Sequence, residues 1–418
     1  MTSPQPETHD RPRWAGYDSP NDLSGPRVPL YGSDFTADPH LVYRDLRQRY
    51  GSLAPVELAP GVPATLVIGY TTAVRILNDP DHFPADPRVW EQSIPADCPV
   101  LPVMQSRPIA SRCAGAEFLR YRRSMTASID GVDLHALHST VERIAIPLIN
   151  SFCTTGAGDL LKQYAMPLAF EVVADMLGST REIGQRAAPA LAAMFEGVDA
   201  ELGNQVFAEA MMELIALKRA APGDDVTTRL LQHPSRLDEM EILHQVLNFH
   251  AAALELQQNL IANTLLLILT SAGIGDGVLS GSLSTRDALD EVLFNDPPLA
   301  NHLISYPRHP ILVDGIWLPA HQPVVISMAA CNNDPAIRTD DLVGNRSHLA
   351  WGAGPHRCPA QPMAYLIAQD AVDQLLDALP EMQLALPAGE PPWRPGPFHR
   401  ALTTLPVTFT PCLPFTVP

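Results

Sequence analysis

The chain has no Lys/Arg-rich tract, no CxxC pair, no internal repeat and no apolar run of membrane-spanning length. With 28 basic against 46 acidic residues, a net charge of −18 and a pI near 5.1, it is not built as a general nucleic-acid binder, because phosphate backbones attract basic surfaces. The cluster Arg120, Arg122 and Arg123 is the best candidate for a local basic patch. The six cysteines at 98, 113, 153, 331, 358 and 412 lie far apart and lack the Cys/His spacing of a zinc site, so reduced thiols and a cytoplasmic location are expected. The N-terminal MTSPQPETHDRPRW has no apolar core behind a basic start, which argues against a secretory leader. The most apolar helical stretch, Leu260 to Leu269, is too short to span a bilayer and continues from Glu255, Gln257 and Gln258, so no membrane anchor is expected.

What remains is a globular composition, 46% hydrophobic and 18% charged over 418 residues, sufficient for a sizeable core. Forty-two prolines, about twice the usual share, cut the chain into short elements, most densely at 1–40, 79–110 and 385–400. Pro39 to Tyr50 reads as an amphipathic helix, Ala64 to Gly69 as a strand, and Thr71 to Asn78 as a second helix. From about 115 to 272 the pattern is almost wholly helical, with breaks at Gly131, Gly156–Gly158, Gly178 and Pro222. Its last member, from about Leu237 to Ser271, contains neither Gly nor Pro and predicts a helix on the order of 50 Å long. A helix over Thr285 to Phe294, hairpin strands within Ile311 to Ile326, a helix over Pro359 to Leu379 and a closing strand in LPVTFTP complete the order. The predicted class is mainly α with a minor β-sheet shared by both ends of the chain. Residues 1–34 are expected to form a proline-rich, partly disordered tail, and 35–418 a single domain.

Chemistry concentrates in Trp351-Gly352-Ala353-Gly354-Pro355-His356-Arg357-Cys358-Pro359-Ala360. Two glycines and two prolines shape a tight loop that presents a cysteine at a helix start, where free N–H groups and the helix dipole favour thiolate, the form a metal binds. Taken alone, Cys358 is equally a small buried apolar residue, as most free cysteines are.

The wider loop resembles the haem-binding signature of cytochromes P450: an aromatic residue, Gly-x-Gly, His or Arg, one further residue, then Cys. The resemblance extends to VDGIWLPAHQPVVISMAACNNDPAI upstream and WRPGPFHRALTTLPVTF downstream, and covers roughly residues 35 to 412. It implies a triangular helical body with a long central helix and haem b (iron protoporphyrin IX) held between that helix and the cysteine loop. It further implies Cys358 as the iron ligand, whose electron-rich thiolate promotes O–O cleavage, His356 and Arg122 as propionate partners, and Ala252 at the haem face.

Four positions depart from the family pattern. Glu-x-x-Arg becomes Glu291-Val292-Leu293-Phe294, so Glu291 is expected to pair with Arg346 alone while Phe294 fills the space. The long-helix acid–threonine pair becomes Glu255-Leu256, which removes the hydroxyl that assists proton delivery and leaves Glu255, Leu256 and Gln257 as the catalytic candidates, with Gln257 placed to hold a water. Phe118 and Ser305 stand where propionate-binding His and Arg are common. These features resemble an actinobacterial subset with degenerate Glu-x-x-Arg motifs, encoded beside small GTPase signalling modules, which adds signalling proteins to the partners considered.

The function implied is a haem monooxygenase acting on a small organic substrate with electrons from a separate ferredoxin and ferredoxin reductase, or with peroxide. No flavin-, nicotinamide- or iron–sulfur-binding segment is present in the 418 residues. A catalytically degenerate haem sensor or accessory partner is the alternative. The loop at 83–110, with Phe83, Trp90 and Met104, is read either as an apolar lid or as a plain proline-rich surface loop.

Overall fold

A computed structural model describes residues 26–196, 200–338, 344–386 and 391–416. Residues 1–25, most of the predicted tail, lie outside that set. Helix accounts for about 53% of the chain, as the mainly-α expectation requires.

The long helix spans Glu239–Thr270 and starts where its local chemistry dictates. Asp238 accepts a 2.8 Å bond from the Glu241 N–H, and the Glu241 carboxylate accepts one of 2.8 Å from the Asp238 N–H, a capping box that satisfies two free donors at once. Length and composition would allow it to cross a membrane, but 67% of its apolar window is buried within the protein. It is therefore the core helix, packed against Met166–Met176, Thr285–Asn295 and Gln361–Ala378.

His250 shows how dry this core is. It is 1% exposed, lies between the rings of Phe170 and Phe207 at 5.4 and 4.9 Å, and burial lowers it from 6.5 to about 4. The unfolded chain therefore takes up a proton first as pH falls, so stability declines between about pH 6.5 and 4, by about 3 kcal/mol from this group. His250→Leu should flatten the dependence of the urea midpoint on pH in that window. An unchanged slope would show that His250 does not carry it.

The main sheet joins the N-terminal strands to strands at 301–327, while the C-terminal strand, expected to share it, lies in a separate sheet. Strands β1 (Val28–Pro29), β2 (Leu53–Glu57), β3 (Pro63–Val67), β4 (Asn301–Ser305) and β5 (Val324–Ser327) lie in the order β1-β2-β3-β5-β4. β1 pairs in parallel with β2, so residues 28–34, assigned by sequence to the tail, begin the folded body instead. The predicted hairpin forms between Ile311–Val313 and Ile316–Leu318. At its tip Asp314 and Gly315 have φ of 49° and 80°, the paired positive values of a type I′ turn. The closing strand, Pro406–Thr408, pairs with Ala157–Asp159, a short strand hidden in the sequence behind what reads as a helix break at Gly156–Gly158.

Candidate active site

Gly352 and Gly354 adopt φ of 70° and 63°, left-handed values that glycine tolerates and other residues do not. At Gly354 a Cβ would stand 2.2 Å from the Leu77 carbonyl oxygen, so the loop presses against the helix Tyr70–Leu77 and only glycine fits. The Cys358 N–H then donates to the Trp351 carbonyl at 2.8 Å and closes the loop. The helix itself begins at Gln361, so Cys358 precedes its cap and receives an N–H from Ala360 rather than facing the helix axis directly.

The Cys358 sulfur lies deep in the protein yet keeps accessible surface because it faces a cavity. Burial pushes the thiol above its ordinary range, against the Ala360 N–H and the Arg122 and Arg357 charges that pull it down. The sequence-based expectation of a pre-formed thiolate is thus overridden by desolvation. A metal cation at the sulfur reverses that balance, since a coordinating thiol is deprotonated outright.

Across the cavity stands one face of the long helix: Ala252, Ala253, Leu256, Gln257 and Leu260. Gln257 also donates through Nε2 to the Ala364 carbonyl at 3.1 Å, tying the long helix to the cysteine-bearing helix. Glu255 does not join them. Its carboxylate is engaged by Arg394 and by the side-chain amides of Gln258 and Asn259, each at 3.0 Å, outside the cavity lining. Of the predicted site residues, the fold thus gathers Ala252, Leu256, Gln257, His356 and Cys358 around one space and leaves Glu255 aside.

Arg122 donates through Nη2 to the Arg357 carbonyl at 2.5 Å, one residue from the sulfur. Burial, reinforced by the Arg122 charge, lowers His356 to about 4. The Phe118 ring rests on His356 at 4.3 Å, occupying the place of the missing histidine. These residues fit an iron porphyrin: the one thiol of the cavity lining on one wall, an apolar helix face on the other, and a cation with a histidine beside the sulfur. Were an iron porphyrin bound here, His356 and Arg122 would meet its carboxylates and Cys358 its iron.

The structure corrects the ion pair predicted for Arg346. Arg346 meets Asp290 at 3.1 Å, not Glu291, and Glu291 accepts instead from the Asn295 amide at 2.7 Å. Asp290 is 1% exposed and is also approached by Arg286, His348 and the Tyr365 hydroxyl. Burial would raise its carboxyl, but hydrogen bonds from His348, Tyr365 and Arg346 and the Arg286 charge hold it below the ordinary range. Arg286 also stacks over the Tyr365 ring at 3.1 Å. Phe294 is buried against His348, with ring centroids 5.2 Å apart, the apolar filling expected for the absent arginine.

Nor is the loop at 83–110 a lid over this cavity. Trp90 packs on Tyr306 with ring centroids 5.7 Å apart, and Met104 is fully buried in the core beside the five-stranded sheet. A larger open cleft of about 840 Å³, with Arg143, Lys162 and Glu171 on its walls, contains no Cys or His side chain. Sequence reasoning missed two residues near His356, namely Arg112 and His302, because neither lies in a recognisable motif.

No family model matches the chain. It is 28% identical over 392 residues to the cytochrome P450 monooxygenase PikC of Streptomyces venezuelae, covering 90% of this chain and 92% of that one. It is 25% identical to the 6-deoxyerythronolide B hydroxylase of Saccharopolyspora erythraea, covering 91% and 98%. Its fold matches the solved structure of CYP154C4 from a Streptomyces species with a TM-score of 0.82 at 24% identity, covering 94% and 99%.

Proposed function

We propose that in this chain, a member of the cytochrome P450 superfamily, Cys358 is the sulfur ligand of haem b in a monooxygenase acting on a small organic substrate. The observation that carries the proposal is the Cys358 sulfur facing, across one cavity, the apolar long-helix face of Ala252, Leu256 and Gln257. Bound haem supplies the one-electron and dioxygen chemistry. The protein's own residues do the rest. Cys358 would donate charge to the iron, Arg122 and His356 would hold the carboxylates, and the long-helix wall would keep bulk water out. Electrons come from a separate ferredoxin and its reductase, or peroxide replaces them, a reading supported by the absence of a recognisable flavin or iron–sulfur segment in the 418 residues, and the proposed setting is cytoplasmic.

Leu256 is the residue that limits this chemistry. It faces the cavity where a hydroxyl would pass protons, while Glu255 is fixed to Arg394 outside it. Gln257, with its Nε2 committed to Ala364, keeps its side-chain oxygen for a water, a positioning task. In a reconstituted assay with ferredoxin and reductase, Leu256→Thr should raise product formed per electron severalfold, since a positioned proton donor adds to the reaction step. No change, or a fall, would show that Gln257 already suffices. Haem retained without turnover, with either ferredoxin or peroxide across a broad substrate panel, would favour a sensor or an accessory partner of a signalling protein, the reading that Leu256 itself suggests.

A further inference from the structure

Arg112 is 9% exposed, and its hydrogen bonds go to the carbonyls of Ser111 and Val103 and to the His302 ring at 3.3 Å. Among the described residues no carboxylate neutralises it, and a buried cation without a counter-charge is among the costliest arrangements a fold can hold. Because Arg112 can only donate, His302 Nε2 accepts and Nδ1 carries the hydrogen. That Nδ1–H is buried with no partner, and so is the Oγ of Ser305, itself 8% exposed. Arg112, His302 and Ser305 line one small side cavity. Its inventory is three sets of donors, a positive charge and two unsatisfied groups, which is the chemistry of a carboxylate site.

The side cavity shares Leu303 and His356 with the cavity that faces Cys358. A porphyrin whose edge reached His356 would direct a carboxylate into it. Phe118 and Ser305 supply no charge at the two positions where relatives often place one, so a carboxylate there lacks its usual partners. We propose that Arg112, assisted by His302 and Ser305, binds a haem propionate in this side cavity and supplies the positive charge that positions 118 and 305 lack. The proposal rests on the haem-binding reading above.

The test uses the full-length holoprotein. Haem transfer to excess apomyoglobin should run roughly tenfold faster from Arg112→Leu than from wild type, the loss expected for one hydrogen bond to a charged group. Resonance Raman spectra should show the propionate bending band displaced. Adding Ser305→Arg to Arg112→Leu should slow the transfer again, because it restores a cation to the same cavity from β4. If Arg112→Leu does not fold, Arg112→Lys gives the same two readouts with a smaller change. Unchanged transfer, or faster transfer with the propionate band unmoved, overturns the proposal. So does a variant that keeps its haem but loses affinity for a long-chain fatty acid, which would place a substrate carboxylate there. Wild-type protein that takes up no haem would instead overturn the haem-binding reading itself.

Discussion

Cys358→Ser is expected to abolish the thiolate-type spectrum of the haem protein and to lower monooxygenase turnover by about 10²-fold or more, since even outer-shell changes at metal sites cost 10- to 100-fold. The physical reason is the loss of the one lining sulfur that can become an anionic thiolate. A serine hydroxyl at the same place is a weak, protonated ligand and cannot push electron density toward a bound oxygen. The fold should survive, because the sulfur faces a cavity instead of filling the core, and the loop is held by the Cys358 N–H bond to Trp351, which serine keeps. Cys412→Ser serves as the control: Cys412 is also partly accessible, lies outside the cavity lining, and should leave the spectrum unchanged. A Cys358→Ser protein with the wild-type spectrum would remove Cys358 from the site.

Asp290→Ala is expected to destabilise the protein by about 3 kcal/mol, the low end for breaking a buried ion pair, while Glu291→Ala should cost less than about 0.5 kcal/mol. The discount for Asp290 is needed because the Arg346 side chain is 57% exposed and regains water when its partner is removed. The remaining cost comes from the buried His348 ring and Tyr365 hydroxyl, which lose their shared carboxylate and keep only their own 3.1 Å contact. Urea midpoints of the two variants decide the matter directly. Equal losses, or a larger loss for Glu291→Ala, would restore Glu291 as the partner that motif position suggests.

The same pair shows what was legible in the sequence and what was not. Motif alignment located the short helix and the loss of its arginine, but not the rotation of the helix about its axis, which decides whether residue 290 or 291 faces Arg346. Two signals were available for it. Ser284 and Asp287 form a capping box at its start, and Arg286 lies four residues before Asp290, on the same helical face. In the long helix the missed step is similar. At about 100° per residue, Ala252, Ala253, Leu256, Gln257 and Leu260 share one face, and Glu255 falls off its edge. The periodicity that predicted the helix also excluded Glu255 from the cavity.

Elements bounded by strong punctuation were read well. Pro39–Tyr50 matches its prediction at both ends, and the long helix starts and ends within two residues of the glycine- and proline-free span. The cysteine loop was legible because its glycines and prolines are steric necessities, as the contact of Gly354 with Leu77 shows. The loop at 83–110 was not, since Trp90 and Met104 have the composition of a lid and of a core alike, and only the packing of Trp90 on Tyr306 separates the two. Arg112 carried no signal at all. One arginine in a proline-rich loop reveals a role only when its burial and its partners are seen.

The central claim, haem held by the Cys358 thiolate, is tested most directly by the difference spectrum of the wild-type protein, expressed with haem supply, reduced and exposed to carbon monoxide. The account predicts the strongly red-shifted Soret band of thiolate-ligated haem; a protein that binds haem but shows the unshifted band of a nitrogen or neutral-thiol ligand would contradict it.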